Sequence, residues 1–471
     1  MPQLQCLSIF WITMIARIAT RHCSSLTIKS MKRNNFQHKA YSSSNEVAAN
    51  DFQYQVPQGK KILIHWKGEV KETYSFHFRH YEFAGALDAV AVGTSHRIKY
   101  ENVLQYDGSD SIPDSLRTYF DESLQFVDGI DDINHVILAA KRCSLVHTAY
   151  QVVAIQENYH ACSDAAIANG LFSDMYKGAV HDHFTWCLRV RIAKGKRHGE
   201  RSRSMEEERK ALRDLTPLLS KFGGGVDLKN PDCQIILFNG IKGSNCVLAR
   251  RLVDGPQIYK IAPVTRLCIT NTPLCPIAAF SLCNIASVRS GYSVLDPYAG
   301  SCSIFLAIST MVPDVRMVGI EIANDQLVNR EDIMRDFQVR NLNPPLALIH
   351  GDSTVDTIRD DARSFIGGEA FDLIITDPPY GIRESNSHNQ DDPIFELCGA
   401  MAKDLQDGKP LLKSGGKLVA FIPCSSSTRI EDCIPPKNML SEAGLEVGDM
   451  IEQTLNENLS RWLVTFHAVN Y

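Results

Sequence analysis

No CxxC pair occurs among the 14 cysteines of this 471-residue chain. The ligand spacing of structural zinc ribbons and fingers is therefore missing. The cysteines lie in apolar runs such as TWCLRV and AAFSLCNIA, which reads as small buried hydrophobes kept reduced. His77, His80, His181 and His183 form two short clusters without further ligand residues beside them, so no metal site is expected. An excess of positive charge is missing too. The formal net charge is −5, so a nucleic-acid partner would have to meet a local basic surface rather than a polycation. No run is both apolar and long enough to cross a bilayer; LSIFWITMIA is too short. The expectation is a soluble body without membrane contact.

Acidic residues are absent before Glu46, while Arg17, Arg21, Lys29, Lys32, Arg33 and Lys39 are spread among Ser and Thr. That is the composition of a mitochondrial or chloroplast transit peptide. The other readings are a tail, or a working start at Met31. No positive residue precedes LSIFWITMIA, which argues against a secretory signal. Residues 1–50 are set apart as a disordered tail or transit peptide. The cytoplasm is the expected compartment, with mitochondrion or plastid as the alternative.

What is present is ordinary globular composition, 44% hydrophobic and 22% charged, enough for roughly two to four domains. Residues 55–265 read as one α+β region. KKILIHW is a strand, and FHFRHYEFAGALDAVAVG has Phe83, Leu87 and Val90 at helical spacing with Gly93 as a stop. DINHVILAAKRC and FTWCLRVRIA read as short strands, and YHACSDAAIANG between them as a helix closed by Gly170. The basic stretch KGKRHGERSRS reads as a loop leading into a helix with acids in its first turn, MEEERKALRDLTPLLSKFGG. DCQIILFNG and NCVLARRLVDG look like two strands of one sheet.

Pro273 and Pro276 bracket a turn, and from about residue 266 to 471 a different pattern runs. Strands and helices alternate through YSVLDP, SIFLAIS, VRMVGIEI, DQLVNREDIMRDF, LALIHGD, FDLIITDPPYG and GGKLVAFIP. This is the mark of a mostly parallel α/β sheet with helices on both faces. EVGDMIEQTL and SRWLVTFHAV follow with no helix between them and read as an antiparallel hairpin closing the sheet.

Ligands of open α/β sheets sit at the carboxyl ends of the strands. Four such ends here carry chemistry. SVLDPYAGSCS ends on Asp296 and turns through Gly300 and Ser301 into a helix, presenting backbone N–H groups. MVGIEI ends on Glu321, about twenty residues past that turn, where a carboxylate can accept from two ribose hydroxyls. ALIHGDS places Asp352 to accept from an adenine amino group. These features alone would also suit a dinucleotide enzyme. The fourth end, TDPPYG, decides between the two. Pro cannot donate to a ladder, so Asp377, Pro378, Pro379 and Tyr380 form a stiff loop in which a carboxylate stands beside carbonyls with no competing N–H. Such acceptors grip an exocyclic amine, and Tyr380 offers a face on which a base can stack, worth about 1–3 kcal/mol.

DPPYG after DPYAG and a strand-end Glu resembles the S-adenosylmethionine-dependent amino-methyltransferases whose motif is (D/N)PP(Y/F). The longer TDPPYGIRES resembles, more narrowly, the tRNA guanine-10 N2-methyltransferases of the Trm-eleven type. FTWCLRVRIA resembles the core strand of a THUMP domain, and LARRLVDG with RLCITNTPL the segment joining THUMP to catalytic domain.

The resemblance implies a Rossmann-like, mostly parallel seven-stranded domain with S-adenosylmethionine as cofactor and tRNA as substrate. It implies a small zinc-binding activator subunit as partner, covering an apolar edge of the sheet. By resemblance Asp377, Pro378, Pro379 and Tyr380 are catalytic, and Asp296, Gly300, Ser301, Glu321 and Asp352 bind the cofactor. Asn271 and Thr272 in the linker, with Lys196 and Arg197 in the basic stretch, are the candidate RNA contacts. One departure stands out: the family's first motif has a second glycine where this chain has Cys302, which would put a side chain near the cofactor's methionine part. Alternatives are another amino-methyltransferase acting on rRNA guanine, DNA adenine or protein glutamine, and an RNA-binding protein with a degenerate pocket.

Overall fold

The computed structural model describes residues 62–67, 78–102, 124–168, 184–192, 201–222, 224–241, 245–270, 273–380 and 392–469. Among these residues the strands form two sheets. The first is built from β1 (Ile62–Trp66), α1 (Phe78–Val90), β2 (Lys99–Asn102), β3 (Leu124–Asp128), α2 (Ile133–Arg142), β4 (Val146–Gln156), α3 (Tyr159–Ala168), β5 (Thr185–Ile192), α4 (Arg201–Asp214), α5 (Thr216–Leu219), β6 (Gly225–Val226), β7 (Cys233–Ile241) and β8 (Asn245–Asp254). Its strand order is β2-β3-β1-β4-β8-β7-β5-β6, antiparallel except where β5 pairs with β7 and β6.

Two expectations fail here. DINHVILAAKRC is the helix α2, not a strand. Asp132 caps it by accepting from Asn134 N (2.8 Å), and Ile133, Val136, Ala139 and Ala140 fall on one buried face. The run VILAA is ambiguous on periodicity alone; the Asp cap and the closing Lys141-Arg142 are the helix signals. The basic stretch is not a loop throughout either, because α4 already begins at Arg201.

The second sheet comprises α6 (Pro276–Ile285), β9 (Ser293–Asp296), α7 (Ser303–Met311), β10 (Arg316–Glu321), α8 (Arg330–Gln338), β11 (Ala347–His350), α9 (Asp356–Ser364), β12 (Phe371–Thr376), α10 (Pro393–Gln406), β13 (Leu412–Ser425), α11 (Lys437–Glu442), β14 (Leu445–Asn456) and β15 (Leu459–Ala468). The order is β11-β10-β9-β12-β13-β15-β14, with β9 to β13 parallel and β15 antiparallel to both neighbours. Strands buried on both faces read as continuous apolar runs such as LIIT. One face packs on α6, α7 and α8 through residues such as Phe280, Phe305 and Phe337. The other packs on α9, α10 and α11 through Ala362, Leu397 and Leu440.

The two sheets share the first of these cores, which runs on through Phe83 and Leu87 of α1. Gly85 lets α1 lie close on α6: a Cβ there would stand 2.2 Å from the Asn284 carbonyl oxygen. Beside it the buried Glu82 carboxylate accepts from Ser144 N and Ser144 Oγ (both 2.7 Å), Leu145 N (3.0 Å) and Asn284 Nδ2 (3.2 Å). Arg142 donates to Asn284 Oδ1 and the Val288 carbonyl (both 2.8 Å). Apolar packing and buried hydrogen bonds thus fix the first sheet's helices on the second sheet's.

Candidate active site at the strand ends

The ends of β11, β10, β9 and β12 lie side by side, and in that spatial order they carry Asp352, Glu321, Asp296 and Asp377. The chain runs outward from β9 through β10 to β11, then returns to pair β12 on the other side of β9. That reversal opens a crevice between neighbouring strand ends. Four carboxylates, scattered over 82 sequence positions from Asp296 to Asp377, therefore meet at one edge.

Asp296 is fully buried. Its Oδ1 accepts from Thr376 Oγ1 (2.8 Å) and Tyr298 N (3.1 Å). Burial pushes its carboxyl up to about 7, and the charges of Asp377 and Glu321 push the same way. Glu321 braces the turn that follows β9: Oε2 accepts from Gly300 N and Oε1 from Ala323 N, both at 2.7 Å. Asp352 Oδ1 accepts from Thr354 N and Thr354 Oγ1 (both 2.8 Å) in the turn before α9.

The turn itself is left-handed at Gly300 (φ 49°) and at Cys302 (φ 60°). A Cβ at Gly300 would meet no atom within 4 Å, so the turn borders open space there. Cys302 is wholly buried in the shared core. Its side chain therefore packs inward, and the obstruction expected at that position does not arise. The Ser301 carbonyl accepts from the buried Arg266 guanidinium, which also donates to Ser303 Oγ (2.8 Å) and lies 3.8 Å from Asp336. Asp336 in turn accepts from Leu267 N and Cys268 N (2.8 and 3.1 Å), tying the segment before α6 to α8.

Asp377 leaves β12 with Pro378 buried and Pro379 exposed behind it. Its Oδ1 accepts from Tyr380 Oη (2.6 Å), and Arg461 Nη1 stands 3.9 Å away while donating to Tyr380 Oη (3.1 Å). Burial pushes the Asp377 carboxyl above its ordinary range, and Arg461 and Tyr380 act against that rise. Residue spacing gave no sign of Arg461, Thr376 or Arg266. Arg461 arrives from β15, 81 positions from Tyr380, and only the closing hairpin brings it near. Asn271, Thr272, Lys196 and Arg197 lie outside the described residues. Among the described residues no group of His, Cys, Asp and Glu is arranged to hold a metal ion.

An edge built this way gathers acceptors and negative charge, with the Tyr380 ring beside Asp377. It suits a small cation and a ligand amine. Residues 263–423 match the model of one family, the RMKL-like methyltransferase domains. Two curated relatives are the U6 snRNA (guanine-N(2))-methyltransferase THUMPD2 of Homo sapiens, 25% identical over 217 residues, and the tRNA (guanine(10)-N(2))-methyltransferase TRMT11 of Gallus gallus, 26% identical over 293 residues. The first match covers 46% of this chain and 37% of that protein, the second 53% and 60%. The chain thus spans between about a third and two thirds of these relatives' lengths. Among solved structures, TrmN from Thermus thermophilus aligns with a TM-score of 0.40 at 16% identity, covering 87% of this chain and all of that one. Similarity to guanine-N2-methyltransferases of the TRMT11 and THUMPD2 kind agrees with the resemblance carried by DPPYG.

Proposed function

We propose that the chain transfers a methyl group from S-adenosylmethionine to the exocyclic N2 amine of a guanosine in tRNA, at position 10. The observation that carries this reading is the Asp377-Pro378-Pro379-Tyr380 loop standing at the strand-order reversal beside Asp296, Glu321 and Asp352. The residues fit such a cofactor. Gly300 leaves room against the turn, Glu321 keeps a second lone pair on each oxygen for ribose hydroxyls, and Asp352 can accept from an adenine amine. The buried acids favour a sulfonium cation, whose attached methyl is already activated. Asp377 and the Pro378 carbonyl would hold the amine by its hydrogens so that the nitrogen lone pair faces that methyl. Orientation of this kind can supply roughly 7–11 kcal/mol. The proton that the amine gives up on methylation would pass to Asp377 or to water. A guanine within paired RNA must first be opened or flipped.

Coverage of the relatives favours tRNA over U6 snRNA as the substrate. The TRMT11 match extends over 53% of this chain against 46% for THUMPD2, and reaches further into the relative itself. We assign residues 55–265 to RNA binding, including a THUMP domain, and 266–471 to a Rossmann-like catalytic domain. The edge strand β11 offers a place for the small zinc-binding subunit, with Ile322, Leu346 and Val355 exposed around it. We place the reaction in the cytoplasm; a fluorescent fusion of residues 1–50 would reveal organelle import instead.

The test is transfer of labelled methyl from S-adenosylmethionine to unmodified tRNA and to U6 snRNA, with and without the zinc-binding subunit, and with Asp377→Ala alongside. N2-methylguanosine at position 10 of tRNA, lost in the variant, is expected. Label only in U6 snRNA would move the substrate. Absence of both label and cofactor binding would leave an RNA-binding protein with a degenerate pocket.

A further inference from the structure

Tyr380 and Asp377 are held by a residue from the far end of the chain. Arg461 is 9% exposed and fixed on two sides. Its guanidinium carbon lies 4.1 Å from the Phe421 ring centroid, and its Nε donates to Gln453 Oε1 at 2.6 Å. Of the two other nitrogens, Nη1 donates to Tyr380 Oη, which donates onward to Asp377 Oδ1. β15 delivers this arm because Arg461 pairs with Pro423 of β13, the strand next to β12. Phe421 and Gln453 leave the guanidinium little choice of plane, and a stacked, forked group of this kind cannot be replaced by Lys without loss of geometry.

We propose that Arg461 is a positioning residue of the site, holding the Tyr380 ring still and occupying Asp377 Oδ1 through Tyr380, so that Asp377 Oδ2 is left to accept from the target amine. The inference rests on the amino-methyltransferase reading. Among the described residues Asp377 Oδ2 takes no hydrogen bond, while Oδ1 is engaged. A hydroxyl that both donates and accepts pins the far end of the side chain, which keeps the Tyr380 ring beside Asp377 for a base. The cation also keeps the carboxylate an acceptor. Burial favours the protonated form of Asp377, which would donate to the amine instead of accepting from it, and the Arg461 charge opposes that. The other titratable groups facing this pair are Tyr380 on the same loop, Asp296 at the end of β9, and Cys275 before α6, beside Arg461.

The experiment compares the full chain with Arg461→Lys, Arg461→Met and Tyr380→Phe, each checked for folding by thermal melting. The Asp377 carboxyl is titrated by carbon NMR with labelled aspartate, its signal assigned by its loss in Asp377→Asn. Arg461→Met should raise the Asp377 midpoint by about 1 pH unit, as removal of an opposite charge near 4 Å does. Arg461→Lys should keep it near the wild-type value, and Tyr380→Phe should raise it through loss of the hydroxyl donor. In methyl transfer, Arg461→Met should move the acidic limb of the pH profile upward. It should also lower kcat roughly tenfold to a hundredfold with KM for the cofactor unchanged. An unmoved midpoint and an unmoved acidic limb in Arg461→Met overturn the proposal. A wild-type chain that methylates no amine overturns the reaction it serves, and the carboxyl titration still decides whether Arg461 governs Asp377.

Discussion

Asp296→Asn should make the protein more stable at neutral and alkaline pH while weakening the site. The native carboxyl titrates at about 7 against an ordinary value of 3.8. The folded state therefore holds a proton that the unfolded chain has already lost. Across the window from about pH 4 to about pH 7 the folded protein binds more protons than the unfolded one, so the contribution of Asp296 to stability falls as pH rises. Below about pH 4 nothing has been lost; above about pH 8 the whole difference, about 4 kcal/mol, has been. Asparagine has no charge to bury. Both hydrogen bonds to Asp296, from Thr376 Oγ1 and Tyr298 N, go to the single oxygen Oδ1, and an amide oxygen can keep both.

The amide nitrogen takes the place of Oδ2, which bonds to nothing among the described residues, and burying its N–H groups without a partner costs about 1 kcal/mol. The variant should then be slightly less stable than wild type near pH 4 and about 2–4 kcal/mol more stable at pH 8, with the two curves crossing between. Urea unfolding of the full chain at several pH values measures this directly. Cofactor affinity at pH 8 should fall about tenfold, because one of the charges facing the cation is gone. A variant that is less stable at pH 8 would refute the claim that the buried charge opposes folding. A variant that gains stability yet binds S-adenosylmethionine as well as wild type would remove Asp296 from the site.

Gly85→Ala gains about 1 kcal/mol of helix propensity on its own, yet a Cβ at 2.2 Å from the Asn284 carbonyl forces α1 off α6 at about 1–3 kcal/mol. Thermal melting should therefore fall, and a rise would disprove the close approach. Glu82→Leu removes the acceptor of four donors, Ser144 N and Oγ, Leu145 N and Asn284 Nδ2, and should cost about 3–5 kcal/mol in urea unfolding; a loss below 1 kcal/mol would refute the network. At the left-handed Cys302, Val should cost about 2 kcal/mol by the same measurement while Gly stays within about 1 kcal/mol of wild type.

The strand-end acids were legible in the sequence because each follows its own strand directly. An apolar run ending in Asp or Glu, or running into two prolines, reveals its position without knowledge of any partner. The alternation after residue 266 and the closing hairpin were legible for the same local reason. Other features depend on distant partners. β4 runs through the middle of its sheet between β1 and β8, but VHTAYQVVAIQ carries no alternating pattern to mark it. Glu82 and Asn284 stand 202 positions apart, and nothing in either neighbourhood announces that they meet. Arg461 sits in a strand that reads as hairpin and nothing more. Cys302 misled in the opposite sense: the missing glycine suggested a blocked crevice, whereas the left-handed turn sends the side chain into the core.

Charge explains why the connection between the two sheets matters for the proposed reaction. Four carboxylates at one edge attract a sulfonium and repel phosphate, so the RNA backbone has to be held elsewhere while only a neutral base enters. For the proposed reaction the first sheet would supply the cations: by register, Arg189 and Arg191 of β5 and Arg251 of β8 share one face. A substrate gripped at one place and modified at another needs the distance between them fixed, because a displacement of about 1 Å at the reacting atoms can slow the reaction a hundredfold. The buried Glu82–Asn284–Arg142 bonds and the close passage at Gly85 supply that fixity without a flexible tether. On the proposed reading, loosening this joint should therefore weaken catalysis on whole RNA far more than it weakens binding of S-adenosylmethionine at the second sheet's strand ends.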